Sequence, residues 1–254
     1  RVDYLNVDLS KKKLVVHSKF DYFFHFANNS NNEQYNDLKN QIYSNFYYTK
    51  NIIKVCENNI NKKIFFSSSG AVYKIIDQEN NTLNFDNSYG IIKKFSEKLF
   101  LENKKINKKI IIGRLYTFCG PLMPLNTHFA FNDFLKLTLL NKNIKIKGDG
   151  KTIRSYMYAS ILISIILNLT CGKNHRKKEF DIGSNKKISI LDLAKKIISV
   201  SKSKSKIVID NKIKKEIKKI YLPNSNICKM INLKKNISLN TAIIKSLEYY
   251  KKII

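Results

Sequence analysis

Tyr89 and Lys93 stand four residues apart. On a helix, positions i and i+4 share a face, so an ammonium at 93 would lie beside the phenol at 89, favour its ionised form and lower its pKa from about 10. A phenol tuned in that direction is a competent general base for an alcohol proton. Upstream stands Ser69, the last of three serines that close the apolar run ending at Phe66. Its hydroxyl would donate to the same substrate oxygen. Base, orienting hydroxyl and cation together form a unit that takes a proton from an alcohol while hydride leaves for a nicotinamide. Taken alone, Tyr-x-x-x-Lys is also an ordinary surface pair, and the chain holds 14 Tyr among many Lys. Its meaning therefore depends on the elements that carry it.

Those elements read as α/β. Short β-branched or aromatic runs alternate with longer helical stretches, the pattern of a parallel sheet with crossover helices. Strands are predicted at 20–26, 63–68 and 109–116, with helices at 33–58 and 88–103. Ser67, Ser68 and Ser69 then fall at the carboxyl end of a strand, where open α/β sheets bind ligands. Ser67 and Ser68 are expected as backbone-capping hydroxyls. Beyond Gly120-Pro121 the rhythm loosens to a helix near 129–140, a strand at 144–147, a turn at Gly148-Asp149-Gly150 and helices near 160–170 and 189–200. A lysine-serine stretch, a short strand and a last helix at 238–252 follow. Asp149 is read as a turn residue, His25 as a packed strand residue and His128 as a loop residue.

Composition bounds the partners. The 254 residues carry a formal charge of +28, which would ordinarily suggest a polyanion. Only four of the 47 basic residues are Arg (Arg1, Arg114, Arg154 and Arg176), whereas base and phosphate recognition favours the planar guanidinium. The charge is accordingly read as a solvated lysine coat, with no nucleic-acid partner, and each arginine becomes informative. The four cysteines form no CxxC pair and have no His at ligand spacing, which points away from zinc and from a disulfide framework and toward a reducing, cytoplasmic compartment. The longest apolar run, near 161–169, is short of the ~18 residues of a membrane span.

Several motifs, each weak alone, stand in one order: Asp21-Tyr22-Phe23-Phe24-His25-Phe26-Ala27, then Asn45 with Thr49, the residues from Ser67 to Tyr73, Tyr89 with Lys93, Arg114, and Gly120-Pro121. Gly148-Asp149-Gly150 with Arg154-Ser155-Tyr156, and Phe180-Asp181-Ile182-Gly183-Ser184, complete the series. Together they resemble the extended short-chain dehydrogenase/reductase family, in particular the NAD-dependent epimerase/dehydratases of nucleotide sugars. The resemblance implies a Rossmann-like doubly wound parallel sheet in residues 1–120. Residues 121–254 would form a smaller mixed α/β substrate-binding region, with some segments returning to the core. Ser69, Tyr89 and Lys93 would be catalytic, Lys93 also holding the nicotinamide ribose. Asp8, Phe26, Ala27 and Asn45 would line NAD or NADP, with Asp8 near the adenine. Arg154 would grip the nucleotide diphosphate, as its fork and permanent charge suit, and Asn132 is a second candidate there. A nucleoside-diphosphate sugar and a second copy of the chain, as a homodimer, are the expected partners.

Members of that family open with a strand, a glycine-rich turn and a helix whose N-terminus receives the pyrophosphate. Here the first of 8 glycines is Gly70, so the expectation is a chain lacking that segment, and Arg1 as first residue favours a fragment. Tyr48 and Lys74 replace family glycines, where they are expected to press on the cofactor side of the sheet and to crowd a turn. Ile161 replaces an Asp expected to cap a helix. The implied activity is that of an NAD(P)-dependent nucleotide-sugar epimerase or ketosugar reductase, working at a sugar carbon that is usually C4 in the family. The segment 120–130 looks like a subgroup from surface-polysaccharide pathways. A 4,6-dehydratase matches less well, because that group carries Asp-Glu after the catalytic hydroxyl where this chain has Gly70 and Ala71. A non-catalytic member of the fold and a polyanion-binding protein are the other readings.

Overall fold

The computed structural model describes residues 4–9, 11–27, 38–76, 81–125, 129–173, 175–210, 220–234 and 237–253. The chain forms two compact units, Arg1–Leu115 with Ile166–Phe180, and Tyr116–Ile165 with Asp181–Ile254.

In the first unit, β1 (Phe20–His25), α1 (Leu38–Asn59), β2 (Ile60–Ser69), α2 (Ser88–Glu102) and β3 (Ile110–Leu115) follow one another. The strands pair in parallel, with Phe24 opposite Phe65 and Phe65 opposite Ile111. The strand Glu179–Ile182 adds beyond β3, giving a four-stranded sheet. Its bonds, Ile112 N–H to Lys178 O and Tyr116 N–H to Ile182 O, advance together along both strands, which makes this pairing parallel too. Every residue from Ile64 to Ser69, and from Ile110 to Arg114, is buried. Consecutive burial of that kind means both faces of the central strands are covered, as in a doubly wound sheet. Alternate side chains Ile64, Phe66, Ile110 and Ile112 pack with Ile52 and Cys56 of α1 and Phe100 of α2. Burying each of the larger ones contributes about 2 kcal/mol. A hydroxyl bond of 3.1 Å between Thr49 and Ser96 ties the two helices.

β2 starts at Ile60 rather than 63, because Ile60 enters the core while the polar Asn61 and Lys62 face solvent. The predicted start of α1, at 33–37, lies outside the described residues, and the described helix begins at Leu38.

The second unit contains β4 (Phe118–Cys119), α3 (Ala130–Leu139), β5 (Ile144–Lys147), β6 (Ile153–Arg154) and β7 (Met157–Tyr158). Next come α4 (Ala159–Cys171), which runs on into the first unit, and β8, the strand Glu179–Ile182 already met. β9 (Ile188–Ser189), α5 (Ile190–Ser201), β10 (Ile207–Asp210), α6 (Ile227–Met230) and α7 (Leu239–Tyr250) complete it. β5 pairs in parallel with β10, and β6 antiparallel with β9. Phe131, Leu135, Ile144, Ile146, Leu193, Ile197, Ile243 and Leu247 form the core of this unit. Ser189 and Ser238 cap α5 and α7, accepting the amide hydrogens of Asp192 and Thr241. The cap expected to be lost at 161 is not a cap position. α4 begins at Ala159, so Ile161 lies in its first turn with its side chain buried. Among the described residues no helix is long and apolar enough to cross a membrane.

Candidate active site

In the first unit the carboxyl ends of β1 and β2 carry Phe26, Ala27 and Ser69, and the helices that follow these strands carry Asn45, Tyr89 and Lys93. Ser69 leaves the sheet with extended backbone and caps the 3-10 turn Gly70–Lys74, its Oγ accepting the Ala71 amide hydrogen at 3.2 Å. Asn87 caps α2. Its Oδ1 accepts from the Gly90 amide at 3.2 Å while its Nδ2 donates to Ala71 O at 2.8 Å. The first turn of α2 is thus bonded to the same residue that Ser69 caps. Gly90 permits the approach, since a Cβ there would lie 2.6 Å from Ala71 O and 2.3 Å from Asn87 Nδ2. Lys74 ends the 3-10 turn with an exposed side chain, so the crowding expected there does not arise.

Tyr89 is half-buried in the first turn of α2. Lys93, one turn on, is 3 % exposed. Its Nζ donates to Ser67 O at 2.8 Å and lies 5.1 Å from the Phe66 ring centroid and 5.9 Å from that of Tyr89. The ammonium therefore sits over both rings at cation–π range. Burial pushes its pKa down to about 8, against the pull of the Glu97 carboxylate, which raises it. Ser68 does not cap backbone as expected: its Oγ donates to Glu97 Oε1 at 2.6 Å.

At the end of β1, Phe26 and Ala27 are exposed and His25 is buried. The Tyr48 ring stands 5.0 Å from the His25 ring, and its hydroxyl donates to Ala27 O at 2.6 Å. Tyr48 thus does press on the end of β1, and its side chain closes the gap between α1 and that strand. Burial, joined by the positive charge of Lys93, drives the His25 pKa down to about 3, so the imidazole is neutral. Asn45 is buried on α1, its Nδ2 donating to Gln41 O at 2.8 Å within the helix. Asp8 is exposed ahead of β1 and pairs with Lys11 at 3.7 Å.

The second unit holds the other two candidates. Arg154 on β6 lays its guanidinium over Tyr221, 5.3 Å from the ring centroid, and Tyr221 packs on Tyr116 at 4.9 Å. Asp181 steadies this segment by accepting the Asn224 amide at 3.1 Å. A Cβ on Gly183 would lie 2.7 Å from Tyr116 Cβ, which explains the glycine. Asn132 is 0 % exposed, and its Nδ2 donates to Pro124 O at 2.9 Å. A cavity of about 690 Å³ lies over Tyr158, Asn185, Lys187 and Asn226, and neither Arg154 nor Asn132 lines it. Asn185 and Lys187 follow directly on the Phe180–Ser184 motif. Asp149 does cap its own turn, its Oδ1 accepting from Lys151 N at 2.9 Å. His128 lies outside the described residues.

Comparison with known proteins bears on this arrangement. Residues 1–183 match a family model described as the NAD dependent epimerase/dehydratase family. The chain is 28% identical over 206 residues to a dTDP-D-glucose 4,6-dehydratase of Dictyostelium discoideum, covering 72% of this chain and 45% of that protein. This chain thus spans less than half the length of that curated relative. UDP-glucose 4-epimerase from Thermotoga maritima, solved with UDP-glucose, superposes with a TM-score of 0.77 at 20% identity, over 92% of this chain and 78% of that one. UDP-glucuronic acid 4-epimerase from Bacillus cereus, in complex with UDP-glucuronic acid and NAD, gives 0.74 at 22%, over 100% and 81%. These relatives are enzymes, and the solved neighbours share the fold.

Proposed function

Because this chain belongs to the NAD dependent epimerase/dehydratase family, we propose that it serves an NAD(P)-dependent epimerase or ketosugar reductase of nucleoside-diphosphate sugars, with Tyr89 as base, Ser69 as orienting hydroxyl and Lys93 as the cation that tunes the phenol. One observation carries the reading: Lys93, buried and bonded to the serine strand at Ser67 O, brings its ammonium to the Tyr89 ring. The Ser69 hydroxyl, oriented by the Ala71 amide, holds the sugar oxygen. The Tyr89 phenolate takes the proton from that oxygen, and its electron pair forms the C=O bond as the carbon loses hydride. Lys93 stabilises the phenolate before the transfer. In the reverse direction the Tyr89 phenol returns its proton to the ketosugar oxygen. NAD(P), when bound, supplies the acceptor and donor of the hydride.

The residues present fit the nicotinamide half of such a cofactor. The exposed Phe26 and Ala27 directly follow β1, and the buried ammonium at 93, on α2, is bonded at Ser67 O to β2, the parallel neighbour of β1. Asn45 and Asp8 complete the proposed lining, Asp8 toward the adenine. No glycine precedes Gly70, so a glycine-rich turn for the pyrophosphate is not among these residues. Arg154, levelled on the Tyr221 ring, is proposed to receive the sugar's diphosphate. Gly70 and Ala71 offer no carboxyl beside Ser69, which supports epimerisation or reduction over dehydration. On the segment 120–130, of which 126–128 lie outside the described residues, we place the reaction in surface-polysaccharide precursor synthesis, in the cytoplasm and in a homodimer.

A second reading, a non-catalytic nucleotide-sugar binder, is favoured by Tyr48, whose hydroxyl occupies Ala27 O. Titration of NADH, followed by its fluorescence, into this chain and into any longer product of the same gene separates the two. Saturable binding relieved by NAD supports the enzyme. UDP-sugar binding by calorimetry without NADH binding supports the binder.

A further inference from the structure

Within the first unit one charge cluster, centred on a fully buried carboxylate, touches none of the reacting groups just described. Glu97 is 0 % exposed and follows Tyr89 and Lys93 at the same spacing, on the same face of α2. Its Oε1 accepts from Ser68 Oγ at 2.6 Å and from Arg114 Nε at 2.9 Å. Its Oε2 accepts from Arg114 Nη2 at 2.7 Å and pairs with Lys94 Nζ at 3.2 Å. Arg114, on β3, also donates through Nη1 to Tyr73 OH at 2.8 Å and through Nη2 to Glu179.

The partners form a pattern. Ser68 directly precedes Ser69, Tyr73 lies in the 3-10 turn that Ser69 caps, and Glu97 lies one turn beyond Lys93. Each segment that presents a residue of the proposed reaction is therefore fastened to one guanidinium. We infer that Glu97 and Arg114 are positioning residues, a brace that fixes the Tyr89–Lys93 face of α2 against the Ser69 end of β2. The inference rests on the catalytic reading above, but the hold of Glu97 on Lys93 is tested without it.

Apolar packing alone would hold α2 on the sheet as firmly, since a buried ion pair is seldom more stabilising than a well-packed apolar one. It would not fix rotation. A two-bond fork between guanidinium and carboxylate sets the angle of the helix about its axis, and a small rotation would carry Tyr89 off the substrate oxygen. The carboxylate also acts on Lys93, whose proton it helps to hold. The other groups facing Lys93 are Tyr89 on its own helix, Ser67 O on β2 and His25 on β1, the last neutral. Arg114 faces it from β3 only through Glu97.

The test uses the full chain with its lysines isotope-labelled, and reads the Lys93 amine by NMR titration. Glu97→Gln removes the charge, and the proton affinity of Lys93 falls about tenfold or more. Arg114→Lys keeps every charge and loses the fork: the Lys93 midpoint stays, while kcat on a nucleotide sugar falls about tenfold with KM unchanged. Arg114→Lys remains readable even where Glu97→Gln does not fold. An unmoved midpoint in folded Glu97→Gln, or full kcat in Arg114→Lys, overturns the inference. A shifted midpoint in a parent protein that turns over nothing upholds the hold of Glu97 on Lys93 and defeats the enzymatic reading, and with it the positioning role, instead.

Discussion

Replacing Lys93 by methionine should stabilise the protein at neutral pH while abolishing its chemistry. Lys93 is 3 % exposed, and burial lowers its pKa from 10.5 to about 8. At 1.36 kcal/mol per pH unit, holding the charged form inside costs about 3 kcal/mol below that midpoint. Methionine has similar length and fills the same space without a charge. It forfeits the bond to Ser67 O, worth about 1 kcal/mol. The net expectation is a gain of about 2 kcal/mol at pH 7. The sign with pH follows from proton counting. Between about 8 and 10.5 the unfolded chain keeps a proton that the folded chain has released, so parental stability rises with pH across that window. Lys93→Met lacks that rise, and its advantage shrinks from pH 7 to pH 10. Urea unfolding followed by circular dichroism at the two pH values measures both effects. A variant less stable than its parent at pH 7, or one with the parental dependence on pH, would refute the reasoning. A buried charge kept at such cost is the signature of a functional lysine.

Gly90→Ala places a methyl against Asn87 and Ala71 O and should destabilise by roughly 1–3 kcal/mol in urea unfolding, with Tyr89 displaced. Arg154→Ala should weaken UDP binding about tenfold or more by calorimetry, and Arg154→Lys should recover only part of it, since the stacked fork is lost. His25 should remain a neutral imidazole from pH 7 to pH 4 by NMR, because its pKa lies near 3. Its folded value is below the ordinary 6.5, so stability is lost as pH falls from 6.5 toward 3, where only the unfolded chain takes up the proton. A His25 ring titrating near 6.5 would contradict the buried placement.

The elements of this fold were legible where burial is continuous or strictly periodic. β5 falls on the residues its alternation of buried Ile and exposed Lys predicts, and α2 starts at the residue expected. The start of β2 is hidden because Asn61 and Lys62 look like a loop although their backbone continues the strand. α6, a four-residue helix, is too short to show a period. In the site, Tyr89 and Lys93 were readable because i+4 spacing fixes their shared face. Glu97 obeys the same spacing but looks like one more surface charge, and only tertiary pairing with a rare arginine shows it to be buried. Asn132 lies on the turn of α3 that also buries Phe131, Phe134 and Leu135, an interior placement that a single polar residue in the sequence does not reveal.

The central claim is that the phenol at 89 does the proton transfer. The most direct test is turnover of a panel of uridine, thymidine and cytidine diphosphate sugars with NAD(P), comparing the parent protein with Tyr89→Phe and reading products by NMR. The account predicts a product from at least one sugar in the parent, and its loss by a factor of about 100 or more in Tyr89→Phe, with sugar-nucleotide affinity changed only a few fold. Undiminished turnover in Tyr89→Phe, or no product from any of these sugars, would contradict it.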